Sequence, residues 1–285
     1  MINILINPMA NNKAGGDADD KIKDIFSGQQ AKVYDVREII DYPDFISNLS
    51  ADDIIVLAGG DGTLNHFIND IKDTEIKNKL YLYPTGSGND FFRDVKETAK
   101  LENSMLPLNE YIKDLPIVKV NGMEKKFLNG IGFGIDGYVC AKSDDIRANS
   151  DKAINYTSIA LKGLIHDYKP CNALVTVDGV LKSYSNVWLA PSMLGRYYGG
   201  GMKITPNQDR KNKQRTLTNC VLFTSSKLDI LTTLPGVYEG KHIKATNIVE
   251  FRTGHEITVE YTNPQDLQID GETINDVTSY TVYYR

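Results

Sequence analysis

The chain has 285 residues, 41% hydrophobic and 24% charged, an ordinary globular composition that excludes disordered and fibrous classes. That length suits one large domain or two modest ones and buries a core without disulfide or zinc staples. The net charge of −5 leaves no global basic field, so no nucleic-acid partner is expected. Three widely spaced cysteines, Cys140, Cys171 and Cys220, make no CxxC pair and read as small buried hydrophobes in a reducing compartment. Met1-Ile2-Asn3-Ile4 offers no signal peptide, and no uncharged apolar run reaches the ~18–20 residues of a membrane span. The expectation is a cytoplasmic protein without a transmembrane segment, whose membrane contact is peripheral at most.

Ile2–Ile6 reads as a strand ending at Asn7-Pro8. A helix is expected from about Asp17 to Phe26, with Ile22, Ile25 and Phe26 at i, i+3, i+4. Ala31–Val36 is a second strand, and Asp41-Tyr42-Pro43 opens a short helix with proline at a tolerated early position. Asp53–Ala58 is a third strand, apolar on both faces as between helix layers. Gly59-Gly60-Asp61-Gly62-Thr63 leads into a helix carrying Leu64, Phe67, Ile68 and Ile71. Leu80–Tyr83 is a fourth strand, followed by Pro84-Thr85-Gly86-Ser87-Gly88-Asn89-Asp90 and another helix. Strand, loop and helix repeated in this way predict a parallel, doubly wound α/β domain over residues 1–117.

After about Leu115 the rhythm changes. Asn121-Gly122 joins Pro116–Val120 to Lys125–Leu128 as a hairpin. A helical stretch follows from about Ile135 to Tyr168, then mostly strands: Ala173–Val177, Val180–Leu189, Leu217–Thr224, Ile243–Phe251, Glu256–Tyr261 and Thr278–Tyr284. A mostly antiparallel β-sandwich domain with a helical insertion is expected over 118–285, with the option that its last strand returns to the first domain. Open strand edges leave a homodimer as an option.

A glycine-rich loop between strand and helix is a phosphate site in principle, because glycines admit the ligand, amides point inward and the helix presents its positive end. The Gly59–Thr63 loop has that context but is neither a Walker A loop nor a GxGxxG fingerprint. Alone, it is as readily a plain turn. Asp61 stands at the carboxyl end of its strand, where open α/β sheets place ligands. A carboxylate beside phosphates calls for a divalent cation between them, as Mg²⁺ commonly is. Gly86–Asp90 is a second small-residue loop at that edge, and Asn7 with Asn11-Asn12 is a third. Three such loops describe a nucleotide cleft.

Six motifs occur in order: Asn7-Pro8; Gly59-Gly60-Asp61-Gly62-Thr63-Leu64-Asn65 with Asn69; Pro84-Thr85-Gly86-Ser87-Gly88-Asn89-Asp90-Phe91-Phe92-Arg93; Gly132-Phe133-Gly134-Ile135-Asp136; Gly199-Gly200-Gly201-Met202-Lys203-Ile204-Thr205-Pro206; and Asp270-Gly271-Glu272. Through them the chain resembles, nearly end to end, the bacterial diacylglycerol kinase family, within the group that includes sphingosine and ceramide kinases. The resemblance implies an α/β nucleotide domain, a β-sandwich lipid domain, and ATP with Mg²⁺ in the cleft between them. It implies nucleotide contacts from Asn7, Pro8, Gly59, Gly60, Asp61, Gly62, Thr63, Asn65, Gly86, Ser87, Asn89 and Glu272. Asp270 matches the family's general base and Asp61 competes for that role; Asp61 is expected on the metal and Asp270 on the proton. Asp136 matches a position that contacts the lipid head group in sphingosine kinases. The implied reaction is transfer of the γ-phosphate from ATP to the hydroxyl of diacylglycerol or a similar lipid at a membrane surface. Phosphoryl transfer to an alcohol needs in-line positioning, charge neutralisation and removal of the hydroxyl proton, which a carboxylate can accept. Asp270 follows Leu267-Gln268-Ile269 and precedes Gly271, so a strand end is expected there; from the tripeptide alone a plain hairpin turn is favoured.

Two alternatives stay open: an NAD kinase, which shares the fold and a GGDGT-type loop but not usually the second loop seen here, and a degenerate relative that binds nucleotide or lipid without turnover. Over 209–218, Gln214, Arg215 and Thr218 stand where the family has Asp, Gly and Asp around a structural metal. That metal site is therefore expected to be absent, with Arg215 as substitute charge. The run Arg210–Arg215 reads first as a solvated loop and second as a patch for anionic head groups. Tyr197 and Tyr198 either edge a lipid pocket or fill a loop, and His66 reads as a surface or cleft residue.

Overall fold

The computed structural model describes residues 1–8, 18–86, 88–149 and 154–285, with the backbone alone at 18 and 19. Asn11, Asn12, Gly15, Gly16, Asp17 and Ser87, all singled out in the sequence, lie outside the described residues. The chain forms two compact units, Met1–Leu115 and Pro116–Arg285.

The first unit runs β1 (Ile2–Ile6), α1 (Ala18–Ile25), β2 (Ala31–Asp35), α2 (Tyr42–Ser47), β3 (Ile54–Gly59), α3 (Asp61–Asp70), β4 (Lys79–Pro84), α4 (Asp90–Val95), β5 (Leu106–Pro107) and α5 (Asn109–Ile112). Its sheet has the order β2-β1-β3-β4-β5, parallel except for β5. β1 is buried along its whole length and β3 at all but its first residue. Ile22 and Phe26, one turn apart, dock on Ile2, Ile4, Ile6 and Val56. α3 buries Leu64, Phe67 and Ile68, the helical stripe expected of it. The strand order reverses between β1 and β3, and ligands of open α/β sheets bind outside the carboxyl ends of strands at such a point. Asn7 and Gly59–Asp61 follow those two strand ends.

The second unit runs β6 (Ile117–Val120), β7 (Met123–Lys126), β8 (Gly130–Phe133), α6 (Ile135–Asn149), α7 (Tyr156–Lys162), β9 (Cys171–Val177), β10 (Val180–Leu189), β11 (Ser192–Met193), β12 (Leu217–Phe223), α8 (Lys227–Val237), β13 (Val249–Gly254), β14 (Glu256–Ile269) and β15 (Glu272–Tyr283). Every pairing within it is antiparallel. β14 joins β15 on one side; on the other it pairs with β9 along its first half and β8 along its second. The sheet therefore folds back on itself. The register of β14 against β15 shifts between Glu260 and Gln265, where Pro264 interrupts the ladder, as proline does at bulges. β15 pairs with β14 and β6, both in this unit. Asn121 and Gly122 both take positive φ in the β6–β7 turn, as a two-residue type I′ hairpin requires.

Two local expectations are corrected. The strand expected over Ile243–Phe251 is a 3₁₀ turn, Lys241–Lys244, followed by β13. The His242 ring bonds the Ile204 carbonyl at 2.9 Å, which anchors that turn and splits the apolar run. α8 was not foreseen, although Ser226 caps it by accepting from the Asp229 amide, the S-x-x-D signature of a helix start.

Candidate functional site

At the carboxyl edge of the first unit's parallel strands two loops meet through their backbones. A Cβ on Gly60 would lie 2.9 Å from the Gly86 Cα, and one on Gly86 2.6 Å from the Gly60 Cα. Only glycine permits this approach. The Thr85 amide donates to the Gly59 carbonyl at 3.0 Å. Asp61 is the first residue of α3, and its two carboxylate oxygens accept the Asp90 and Phe91 amides at 2.8 and 2.9 Å. It thus ties the start of α3 to the start of α4. Asn89 takes a left-handed conformation, φ 49°, and donates to the Gly86 carbonyl. A Cβ on Gly62 would meet nothing within 4 Å, and first-turn amides of a helix have no intrahelical acceptor. Asn65 is buried, and its carbonyl accepts from Asn69. Asn7 and Pro8 are half-buried after β1, and His66 is exposed on α3. The structure therefore brings the Gly59–Thr63 loop, Gly86 and Asn89 together. Among the described residues no group of three or more His, Cys, Asp or Glu side chains could hold a metal alone. Asp61 fits Mg²⁺ only in the common arrangement of one or two carboxylates completed by substrate phosphates.

The second unit holds a different chemistry. Asp136, in the first turn of α6, is 8% exposed. Its Oδ1 accepts the Gly137 amide at 3.1 Å, while its buried Oδ2 has no hydrogen-bond partner among the described residues. Burial pushes its carboxyl up to about 6, against the opposing effects of the nearby Tyr198 hydroxyl and the Gly137 amide. Four tyrosines feel the Asp136 charge. Tyr261 and Tyr280 bond the Phe133 and Ala190 carbonyls, whereas the buried hydroxyls of Tyr168 and Tyr198 find no partner among the described residues. Tyr168 and Tyr198 belong to an apolar cluster with Ile135, Trp188, Leu222 and Ile230. Gly132 is required here, because a Cβ would lie 2.1 Å from Asp136 Oδ2. Of the two readings offered for Tyr198, pocket edge or loop filler, the structure places its side chain in the core beside Asp136; Tyr168 was not singled out in the sequence.

Asp270 and Gly271 form the two-residue turn between β14 and β15, with φ of 48° and 95°. The Asp270 carboxylate accepts three amides: Leu128 at 2.6 Å, Asn129 at 2.8 Å and Gly130 at 3.0 Å. Glu272, the first residue of β15, pairs with Lys125 at 2.8 Å. The basic run divides by residue type. Arg210 donates to the Leu128 carbonyl and Asn129 Oδ1, and Arg215 to the Arg285 carbonyl, with its guanidinium 4.6 Å from the Tyr284 ring centroid. Lys211 and Lys213 are exposed. Arg210 reads from sequence only as one member of a solvated basic run, since a guanidinium aimed at a distant carbonyl leaves no local pattern.

The diacylglycerol kinase catalytic domain model matches residues 1–120, and the YegS C-terminal NAD kinase beta sandwich-like domain model matches residues 129–282. The chain belongs to the diacylglycerol kinase family. Curated relatives include a diacylglycerol kinase of Mycobacterium tuberculosis, 23% identical over 69% of this chain and 63% of that protein. A diacylglycerol kinase of Bacillus subtilis is 23% identical over 77% of this chain and 71% of its own length. A solved diacylglycerol kinase structure from Bacillus anthracis superimposes with a TM-score of 0.63 at 19% identity, covering 99% of this chain and 93% of that one. That likeness establishes the fold. Family membership supports a lipid kinase that uses a nucleotide. No described helix is long and apolar enough to cross a membrane.

Proposed function

We propose that the protein is an ATP- and Mg²⁺-dependent lipid kinase acting on the hydroxyl of diacylglycerol or a similar neutral lipid at a membrane surface. The observation that carries this reading is the buried Asp136 carboxylate, whose Oδ2 lacks a partner among the described residues, beside an apolar core cluster that includes Tyr168 and Tyr198. Buried polar groups are normally satisfied, and exceptions call for a functional account. A neutral lipid hydroxyl would give that oxygen a partner without adding charge, whereas a dinucleotide would bring phosphate charge beside a buried carboxylate. The Gly59–Thr63 loop with Gly86 and Asn89 would take the ATP phosphates, and Asn7, Pro8 and Asn65 would flank them. Mg²⁺ bound with the nucleotide at Asp61 supplies charge neutralisation. Transfer through a loose transition state depends chiefly on positioning and electrostatics, so orientation of the lipid hydroxyl by Asp136 is its largest requirement of the second unit.

Labelled ATP supplied with diacylglycerol, monoacylglycerol or ceramide in mixed micelles, and separately with NAD, tests the proposal. Label is expected in a neutral lipid, and Asp136→Asn is expected to lower kcat/KM for that lipid by at least about tenfold with little change in the KM for ATP. Transfer to NAD alone would favour the NAD kinase alternative. Tight ATP binding without transfer to any acceptor would favour the degenerate relative.

A further inference from the structure

The Asp270 turn, the 128–130 segment and Arg210 form one connected unit. The peptide group between Leu128 and Asn129 lies at its centre. Its carbonyl oxygen accepts Arg210 Nη1 at 2.9 Å, and its N–H donates to Asp270 Oδ1 at 2.8 Å. A single peptide dipole is thus held between a guanidinium and a carboxylate, and each charge strengthens the bond at the far end. The neighbouring amides of Leu128 and Gly130 complete a nest of three donors around the carboxylate. In return the Asp270 amide donates to the Gly130 carbonyl at 3.2 Å. Asn129 is 2% exposed; its carbonyl also accepts the Leu194 and Gly195 amides, and its side chain accepts Arg210 Nη2 at 3.2 Å. Arg210 itself is rooted in a self-bonded loop, where Asn212 bonds Asp209 and Thr216, and Gln208 bonds Thr216 and Thr218.

We propose that Arg210, the 128–130 amides and Asp270 form a latch that fixes the β14–β15 turn against the start of β8 and holds the Asp270 carboxylate in place. The three amides take three of the roughly four lone-pair sites of the Asp270 carboxylate and hold it in one orientation. The latch sets where Glu272 begins β15 and where β8 begins its run towards Asp136, so Arg210 is a positioning residue that acts through the turn.

Backbone hydrogen exchange at residue resolution, on the full-length chain without ATP or lipid, tests the latch in Arg210→Ala, Arg210→Lys and Asp270→Asn. The amides of Leu128, Asn129 and Gly130 are expected to exchange at least about tenfold faster in R210A and D270N, with R210K close to the parent because a single donor to the Leu128 carbonyl survives. The activity arm rests on the lipid-kinase reading, while the exchange arm does not, so an inactive parent would remove that reading and leave the latch to be decided by exchange. In the active enzyme, R210A is expected to lower kcat while leaving the shape of its pH profile unchanged, and R210K is expected to stay close to the parent. Unchanged exchange in R210A overturns the latch. A pH profile that changes shape in R210A overturns its assignment as a positioning residue.

Discussion

Asp136 couples stability to pH in a direction that can be measured. Its carboxyl is pushed from an ordinary 3.8 up to about 6, chiefly by burial. The folded chain therefore holds this proton more tightly than the unfolded chain, and its contribution to stability falls as pH rises from about 4 to about 6, then stays level. Asp136→Asn removes the buried charge and can use the Tyr198 hydroxyl as an acceptor. The variant is expected to be more stable than the parent above about pH 6, by about 2–3 kcal/mol, with the gain vanishing below about pH 4. Urea melts at both ends of that range provide the check; a variant less stable than its parent at pH 8 would show that the carboxylate is compensated. At this scale the sequence is only partly legible. Asp136 stands in a recognisable motif, but Tyr168, about thirty residues along, comes under its charge only through the fold. Asp270 was also found, yet its three amide donors come from 128–130, a segment that reads as the end of a hairpin.

The two glycine loops separate packing from ligand access at the scale of elements. Gly60 is glycine because Gly86 is against it, so Gly60→Ala is expected to cost about 1–3 kcal/mol by overlap as well as ATP affinity. Gly62 has open space where a Cβ would go and lies inside α3. Gly62→Ala is therefore expected to raise stability, by up to about 1 kcal/mol, while weakening ATP binding wherever a phosphate must approach the first-turn amides. Thermal melts paired with calorimetric ATP titration distinguish the two variants. Unchanged ATP affinity in G62A would place the phosphates elsewhere. Elements of this kind read well from sequence where one rule governs them: β3 is apolar on both faces because its neighbours are helices, and the Asn121-Gly122 turn needs positive φ twice. They read poorly where a distant partner decides. The apolar residues from Ile243 to Ile248 have a strand-like composition, but His242 is held by the Ile204 carbonyl about forty residues away, and the chain turns there instead.

At the scale of the whole molecule, the change from parallel to antiparallel pairing after Leu115 divides the chain into two units, each with its own sheet. The change of rhythm near residue 115 was visible in sequence because parallel strands need intervening helices and antiparallel ones do not. Such a division lets the ligands be assigned separately. ATP with Mg²⁺ should stabilise the unit that carries Gly59–Thr63, by about 2.7 kcal/mol at a hundredfold excess over Kd. Trp188 is the only tryptophan in the chain and lies buried in the second unit, its indole N–H on the Thr224 carbonyl and its ring 5.9 Å from that of Tyr168. Its emission therefore reports the unfolding of that unit, while far-ultraviolet circular dichroism reports both. ATP with Mg²⁺ is expected to move the dichroism melt upward and leave the Trp188 transition in place. A micellar neutral lipid is expected to move the Trp188 transition, and to lose that effect in D136N. Equal displacement of both probes by ATP would mean that unfolding is cooperative across residue 115, and a lipid effect that survives in D136N would remove Asp136 from the acceptor site.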